Sequence, residues 1–255
     1  SYASGVIYHP NGAIQQFTYG NGIVHTMQQN ARQLPARSAD SGVLDLQNTY
    51  DANGNVTRID DYVQGPGYGR TLEYDARDRL SAAGSPMFGG DGWHRFSYDS
   101  LDNLKSWTLA GVKDYATYYY DPGSNRLTNI LNSSGQTIVG LGYDAQGNLT
   151  NRIGQAYDFD KGNRLRAVPG KETYRYDAYG RRVLNQRPGG AQTVSYYSQP
   201  GQLLYQEQTG KGTFEYIYLG GSLVATRNNA ASGAQVQYQH TDALGSPLAI
   251  TSPAS

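Results

Sequence analysis

The chain has 255 residues, of which 38% are hydrophobic, with 32 Gly and 23 Tyr against 5 Phe and 2 Trp. Its 21 basic and 21 acidic residues cancel, which argues against a phosphate-tracking nucleic-acid binder, which needs a basic face, and against a polybasic membrane anchor. It lacks cysteine, so disulfides, thiolate metal sites and cysteine nucleophiles are excluded, and no apolar run is long enough for a transmembrane helix.

Tyrosine suits a surface that is apolar on one side and wet on the other. With this much glycine, the composition predicts half-buried extended sheet with many tight turns. No charged-then-apolar leader opens the chain. It begins Ser1-Tyr2-Ala3, as expected of a piece of a longer polypeptide.

Residues 1–42 carry only a weak turn signal, in Phe17-Thr18-Tyr19-Gly20-Asn21-Gly22-Ile23. Residues 43–183 carry a clear repeat: an aromatic residue, Asp, a short polar or glycine-containing stretch, then an aliphatic residue. It reads Tyr50-Asp51-Ala52-Asn53-Gly54-Asn55-Val56, then Tyr74-Asp75-Ala76-Arg77-Asp78-Arg79-Leu80 and Tyr98-Asp99-Ser100-Leu101-Asp102-Asn103-Leu104. A longer copy runs from Tyr120-Asp121 to Leu127. Three more follow: Tyr143-Asp144 with Gly147 and Leu149, Phe159-Asp160 with Gly162 and Leu165, and Tyr176-Asp177 with Gly180 and Val183. The aromatic anchors lie 24, 24, 22, 23, 16 and 17 residues apart. That spacing fits two short strands and two turns, whereas a helical repeat needs about 33 residues and a propeller blade about 40 or more.

Each position has a physical task. The Asp carboxylate closes an Asx-turn by accepting a backbone N–H about two residues on. Glycine supplies a positive φ. The aromatic residue ends one strand and the aliphatic residue opens the next, so the two face each other across the hairpin mouth. Successive tyrosines are then expected to stack as a ladder of rings. Period-two patterning in Arg95–Tyr98, Phe214–Leu219 and Val236–His240 marks strands with one wetter face.

Candidate chemistry is sparse. His240 and Asp242 share a strand face if extended, but Asp242 reads as capping a bend at Leu244-Gly245. His9, His25 and His94 sit at no metal-ligand spacing. Asp51–Asn55 and Asp144–Asn148 lack the twelve-residue loop and closing Glu of a calcium hand. Gly65-Pro66-Gly67-Tyr68-Gly69 is followed by no Gly-Lys-Ser/Thr. An Asp repeated in every unit serves geometry, so no catalytic, cofactor or metal residue is assigned.

The Tyr-Asp-x-x-Gly-Asn/Arg-Leu units resemble YD/RHS repeats. In residues 184–255 two further segments match that family: Tyr216–Ala225, and Tyr238-Gln239-His240-Thr241-Asp242-Ala243-Leu244-Gly245-Ser246-Pro247-Leu248. The resemblance implies an all-β fold of hairpins in a continuous curled antiparallel sheet, part of a cocoon-like shell enclosing a C-terminal toxin. It implies secretion, in bacterial members commonly by the type VI machinery in competition between bacteria, and relatives among insecticidal toxin complexes and teneurins. The family's self-cleaving segment would lie beyond Ser255, so the chain is expected to be shell without protease or cargo.

The expected partners are the remaining shell segments and the toxin domain, with secretion components possible and self-association through exposed sheet edges. Residues 1–40 and 251–255 are candidates for covering those edges. A carbohydrate- or cell-surface-binding module, resting on the tyrosine surplus, is the alternative.

Overall fold

The structure, a computed structural model, describes residues 1–230 and 233–253. It is all-β, with 57% of residues in strands, more than twice the usual share. Two single 3₁₀ turns, Pro66–Tyr68 and Pro86–Phe88, are the helical elements among the described residues.

Two compact units divide the chain. The first combines Ser1–Gly69 with Ala191–Ser255. Its N-terminal strands are β1 (Ala3–Tyr8), β2 (Ile14–Tyr19), β3 (Val24–Gln29), β4 (Pro35–Asp40), β5 (Leu44–Tyr50) and β6 (Val56–Asp61). Each pairs antiparallel with the next.

The second unit, Arg70–Gly190, holds three antiparallel runs. One is β7 (Arg70–Tyr74), β8 (Leu80–Gly84), β9 (Trp93–Tyr98), β10 (Leu104–Leu109) and β11 (Lys113–Tyr115). The next is β12 (Thr117–Tyr120), β13 (Leu127–Leu131), β14 (Thr137–Tyr143), β15 (Leu149–Arg152) and β16 (Gln155–Ala156). The third is β17 (Asp158–Phe159), β18 (Leu165–Val168), β19 (Glu172–Tyr176) and β20 (Arg182–Gln186).

The first unit is completed by β21 (Gln192–Tyr197), β22 (Leu203–Gln208), β23 (Gly212–Leu219), β24 (Ser222–Ala230), β25 (Gly233–Thr241) and β26 (Pro247–Thr251). These again pair in sequence order. Residues 1–40, expected as a covering segment, are themselves strands β1–β4 of the N-terminal ladder β1–β6. At the other end Thr251 closes β26, and residues 254–255 lie outside the described residues.

The first unit's core forms where its two chain segments meet face to face. Phe17 and Tyr19 of β2 pack on Val224 and Ala225 of β24 and Tyr238 of β25. The Tyr19 and Tyr238 rings meet edge-on, 6.0 Å apart. Gly20 is required by this approach, because a Cβ there would stand 2.2 Å from the Ser1 carbonyl and 2.4 Å from the Tyr238 hydroxyl. Burying side chains of this size contributes about 1.5–3 kcal/mol each. In the second unit Leu109, Ile130 and Val139 are buried, and an aromatic row crosses β9 to β11 through Phe96, Trp107 and Tyr115.

Candidate functional site

The repeat turn is a five-residue device. In the first clear copy the Asp51 N–H donates to the Asn55 carbonyl at 3.0 Å and the Gly54 N–H to the Asp51 carbonyl at 3.3 Å. Asp51 Oδ1 accepts the N–H groups of Gly54 and Asn55 at 2.8 and 2.9 Å, and Asn55 Nδ2 donates to Oδ2 at 3.0 Å. Asp75, Asp99, Asp144, Asp160 and Asp177 repeat the scheme. There the fifth residue returns its side chain to the carboxylate: Arg79, Asn103, Asn148, Arg164 and Arg181. Asp121 holds a longer loop, accepting both the N–H and the hydroxyl of Ser124. These bonds favour the charged form. The Arg79 side chain holds Asp75 down at about 2, and the Asn side chains hold Asp51, Asp99 and Asp144 below the usual carboxylate range.

The residue three after Asp is left-handed. Gly54, Gly147 and Gly180 have φ of 97°, 93° and 77°, and Asp78, Asp102 and Asn163 fill the same place at 59°, 66° and 59°. This corrects the reading of Gly162 as the positive-φ glycine: that role falls on Asn163, and Gly162 instead donates its N–H to Asp160 Oδ1. In the last copy Tyr176 stands opposite Arg182, not Val183. The Arg182 guanidinium fills the aliphatic slot by lying 4.1 Å from the Tyr174 ring centre, a cation–π substitute for a methyl contact. Elsewhere the expected partners face each other, as in Tyr50 with Val56, Tyr74 with Leu80 and Phe159 with Leu165.

The ladder between copies is made of hydrogen bonds rather than stacked rings. The hydroxyls of Tyr98, Tyr120, Tyr143 and Tyr176 donate to the carbonyls of Leu80, Leu104, Leu127 and Leu165, each in the preceding copy, at 2.7 to 3.0 Å. Tyr50 makes the same bond to the Pro35 carbonyl. The turn tips are joined as well. Arg79 donates to the Asp99 carbonyl and lies over the Tyr98 ring, and Arg126 does the same for Asp144 and Tyr143. Asn103 and Asn148 reach Asn125 and Asn163 of the next turns.

Four copies escaped the sequence pattern because another residue replaces Asp, namely His9, Asn30, Asn132 and Ser198, and a fifth, at Asp242, keeps the Asp but lacks the aromatic before it. All five keep the paired backbone bonds. Asn30, Asn132 and Ser198 supply a side-chain oxygen to the turn. Their amide or hydroxyl chemistry, with Gly135 or Gly201 three residues on, was the available signal. Asp242 accepts the N–H groups of Leu244 and Ser246 at 2.9 Å, and Gly245 is left-handed at 86°. The segment closes with Pro247 opposite Thr241, so Asp242 is a turn residue and shares no site with His240.

His240 belongs to a different constellation, within the first unit. Its Nδ1 lies 2.8 Å from Asp40 Oδ2 and its Nε2 2.8 Å from Thr251 Oγ1. The other Asp40 oxygen takes His25 Nδ1 at 2.7 Å. Asp40 and His240 are wholly buried. Burial pushes Asp40 up, but the hydrogen bonds and charge of the two imidazoles outweigh it and hold it below its ordinary value. Burial, then the Asp40 carboxylate, pushes the Tyr19 phenol far above the tyrosine range; that hydroxyl donates to the Gln239 carbonyl. Asn21 closes the group by donating to Thr251 Oγ1 and the Ser252 carbonyl. The carboxylate–imidazole–hydroxyl connectivity is that of a proton relay, yet Thr251 Oγ1 already accepts from Asn21 and neither His240 nor Thr251 borders the adjacent cavity. Among the described residues, no three His, Cys, Asp or Glu are placed to hold a metal. No described helix is long and apolar enough to cross a membrane.

A sheet built of hairpins, clamped turn to turn by an Asp-centred motif, defines a YD-type shell segment. The teneurin YD-shell family model matches residues 8–254, and the chain belongs to that family. Its fold is similar to the TcdB2–TccC3 complex, with a TM-score of 0.64 at 16% identity over 98% of this chain and 15% of that one. The Photorhabdus luminescens Tc holotoxin pore gives 0.52 at 14% identity with the same coverage. In sequence it is 26% identical over 225 residues to the tRNA3(Ser)-specific nuclease WapA of Bacillus spizizenii. That match covers 84% of this chain but only 8% of WapA.

Proposed function

We propose that the chain is a non-catalytic wall segment of an exported toxin's shell, which sequesters a polypeptide cargo and helps deliver it. The observation that carries this is the ladder: the hydroxyls of Tyr98, Tyr120, Tyr143 and Tyr176 bond back to the preceding copy, and Arg or Asn side chains join neighbouring turns, so the sheet grows by addition of hairpins. Such a wall does not depend on a thick core, in keeping with the modest hydrophobic content. The similarity to toxin-complex shells and to a large nuclease supports export, a toxin cargo and companion shell segments. The route of export, type VI or other, belongs to the same proposal.

The glycan-binding alternative is not favoured, because Tyr50, Tyr98, Tyr120, Tyr143 and Tyr176 commit their hydroxyls to main-chain carbonyls. The test is capture of a permanently unfolded polypeptide, reduced and carboxymethylated α-lactalbumin, by the purified chain, with a glycan array in parallel. Capture of the unfolded probe without saturable sugar binding is expected. Saturable sugar binding without capture would overturn the shell reading.

A further inference from the structure

Beside the Asp40 group lies a cavity of about 270 Å³, near the lower end of sizes that hold small ligands. It is bordered by strands of both chain segments of the first unit. Phe17, Met27 and Val224 give it apolar walls, and Ser38, His25, Ser222, Thr241 and Asp242 are among its polar members. Ser38 is only 3% exposed, yet its hydroxyl has no hydrogen-bond partner. A buried hydroxyl without a partner is costly and is rarely retained without a reason. Along β4 it stands two residues before Asp40, opposite Met27 of β3 and Leu46 of β5.

Ser38 Oγ and Asp242 Oδ2 both retain capacity to accept a hydrogen bond. Asp242 Oδ1 is taken by two backbone N–H groups, and Oδ2 has no partner among the described residues. His25 commits Nδ1 to Asp40. A carboxylate at the edge and a second carboxylate behind His25 disfavour an anion.

We propose that this cavity is a binding site for a residue-sized molecule with a flat apolar body and a hydrogen-bond-donating head, an alcohol or a protonated amine. The body would lie against Phe17, Met27 and Val224, and the head would satisfy Ser38 and Asp242. Because the walls come from residues far apart in the chain, the ligand would tie the two segments of the first unit together. The site is independent of whether the shell holds a toxin.

The test is ligand-observed NMR and calorimetric titration of the whole chain with p-cresol, tyramine and 4-methylbenzoate. Saturable binding of the first two and none of the acid is expected. Ser38→Ala should weaken both about tenfold, and Ala243→Trp, which fills the cavity from the turn, should abolish binding. Ser38→Ala removes a partnerless hydroxyl, so its melting temperature should equal or exceed that of the parent, which separates lost binding from lost folding. Failure of p-cresol and tyramine to bind, or equal affinity in the parent and Ser38→Ala, overturns the site.

Discussion

Asp40 and His240, 200 residues apart in sequence, meet at 2.8 Å with neither side chain exposed. Such a pair gives little net stability by itself, because both groups lose water to form it. Breaking it is a different matter. His240→Phe keeps a ring of similar size but leaves Asp40 Oδ2 without its imidazole partner and removes one of the two partners of Thr251 Oγ1. The expected cost is about 3 kcal/mol, read as a shift of the urea midpoint. Hydrogen exchange should accelerate first in β3, β4, β25 and β26. A cost below about 0.5 kcal/mol, the scale of an ordinary surface substitution, would show that the pair does not hold the two chain segments together.

The turn carboxylates make stability depend on acid in a defined direction. Asp75 is depressed from 3.8 to about 2. A group depressed in the folded state stabilises fully above its unfolded value, and that contribution disappears as pH falls through its folded value. Wild-type urea midpoints should therefore fall between pH 4 and pH 2. Asp75→Asn should already be less stable at pH 5 and should show a shallower fall. An unchanged slope in the variant would remove Asp75 from the acid response.

What could be read in advance follows the range of the forces. The turn is local: an Asp, its backbone and a residue four positions on decide it, so seven copies are visible as letters. The slips occur where one chemistry substitutes for another. Asn163 takes the left-handed place beside the misleading Gly162, and Arg182 takes an aliphatic slot by lying on Tyr174. Asn30, Asn132 and Ser198 do an aspartate's work with a different oxygen. The Asp40 group has no such local trace. Nothing near His25 or His240 in sequence marks them as partners, since their meeting depends on the packing of Phe17, Tyr19 and Tyr238.

The left-handed position gives a graded test. At Gly180 a Cβ would meet nothing within 4 Å, so any penalty comes from φ alone. Gly180→Ala should cost about 1 kcal/mol. Gly180→Asn should cost less, because Asn tolerates this region and serves in the equivalent place at Asn163. Equal costs for the two variants would mean that the turn relaxes out of the left-handed conformation.

The phenol ladder makes the last prediction. Tyr143 donates to the Leu127 carbonyl at 2.8 Å, and Tyr98 to the Leu80 carbonyl at 2.9 Å. Tyr→Phe keeps the ring and its packing but leaves a half-buried carbonyl without that donor. Each change should cost about 1 kcal/mol. The two bonds share no residue, so the double variant should show the sum within about 0.5 kcal/mol. If the rungs act as a cooperative strip instead, the double variant will lose measurably more than the sum. Hydrogen exchange in β8 through β14 would then rise as a block rather than at two separate rungs.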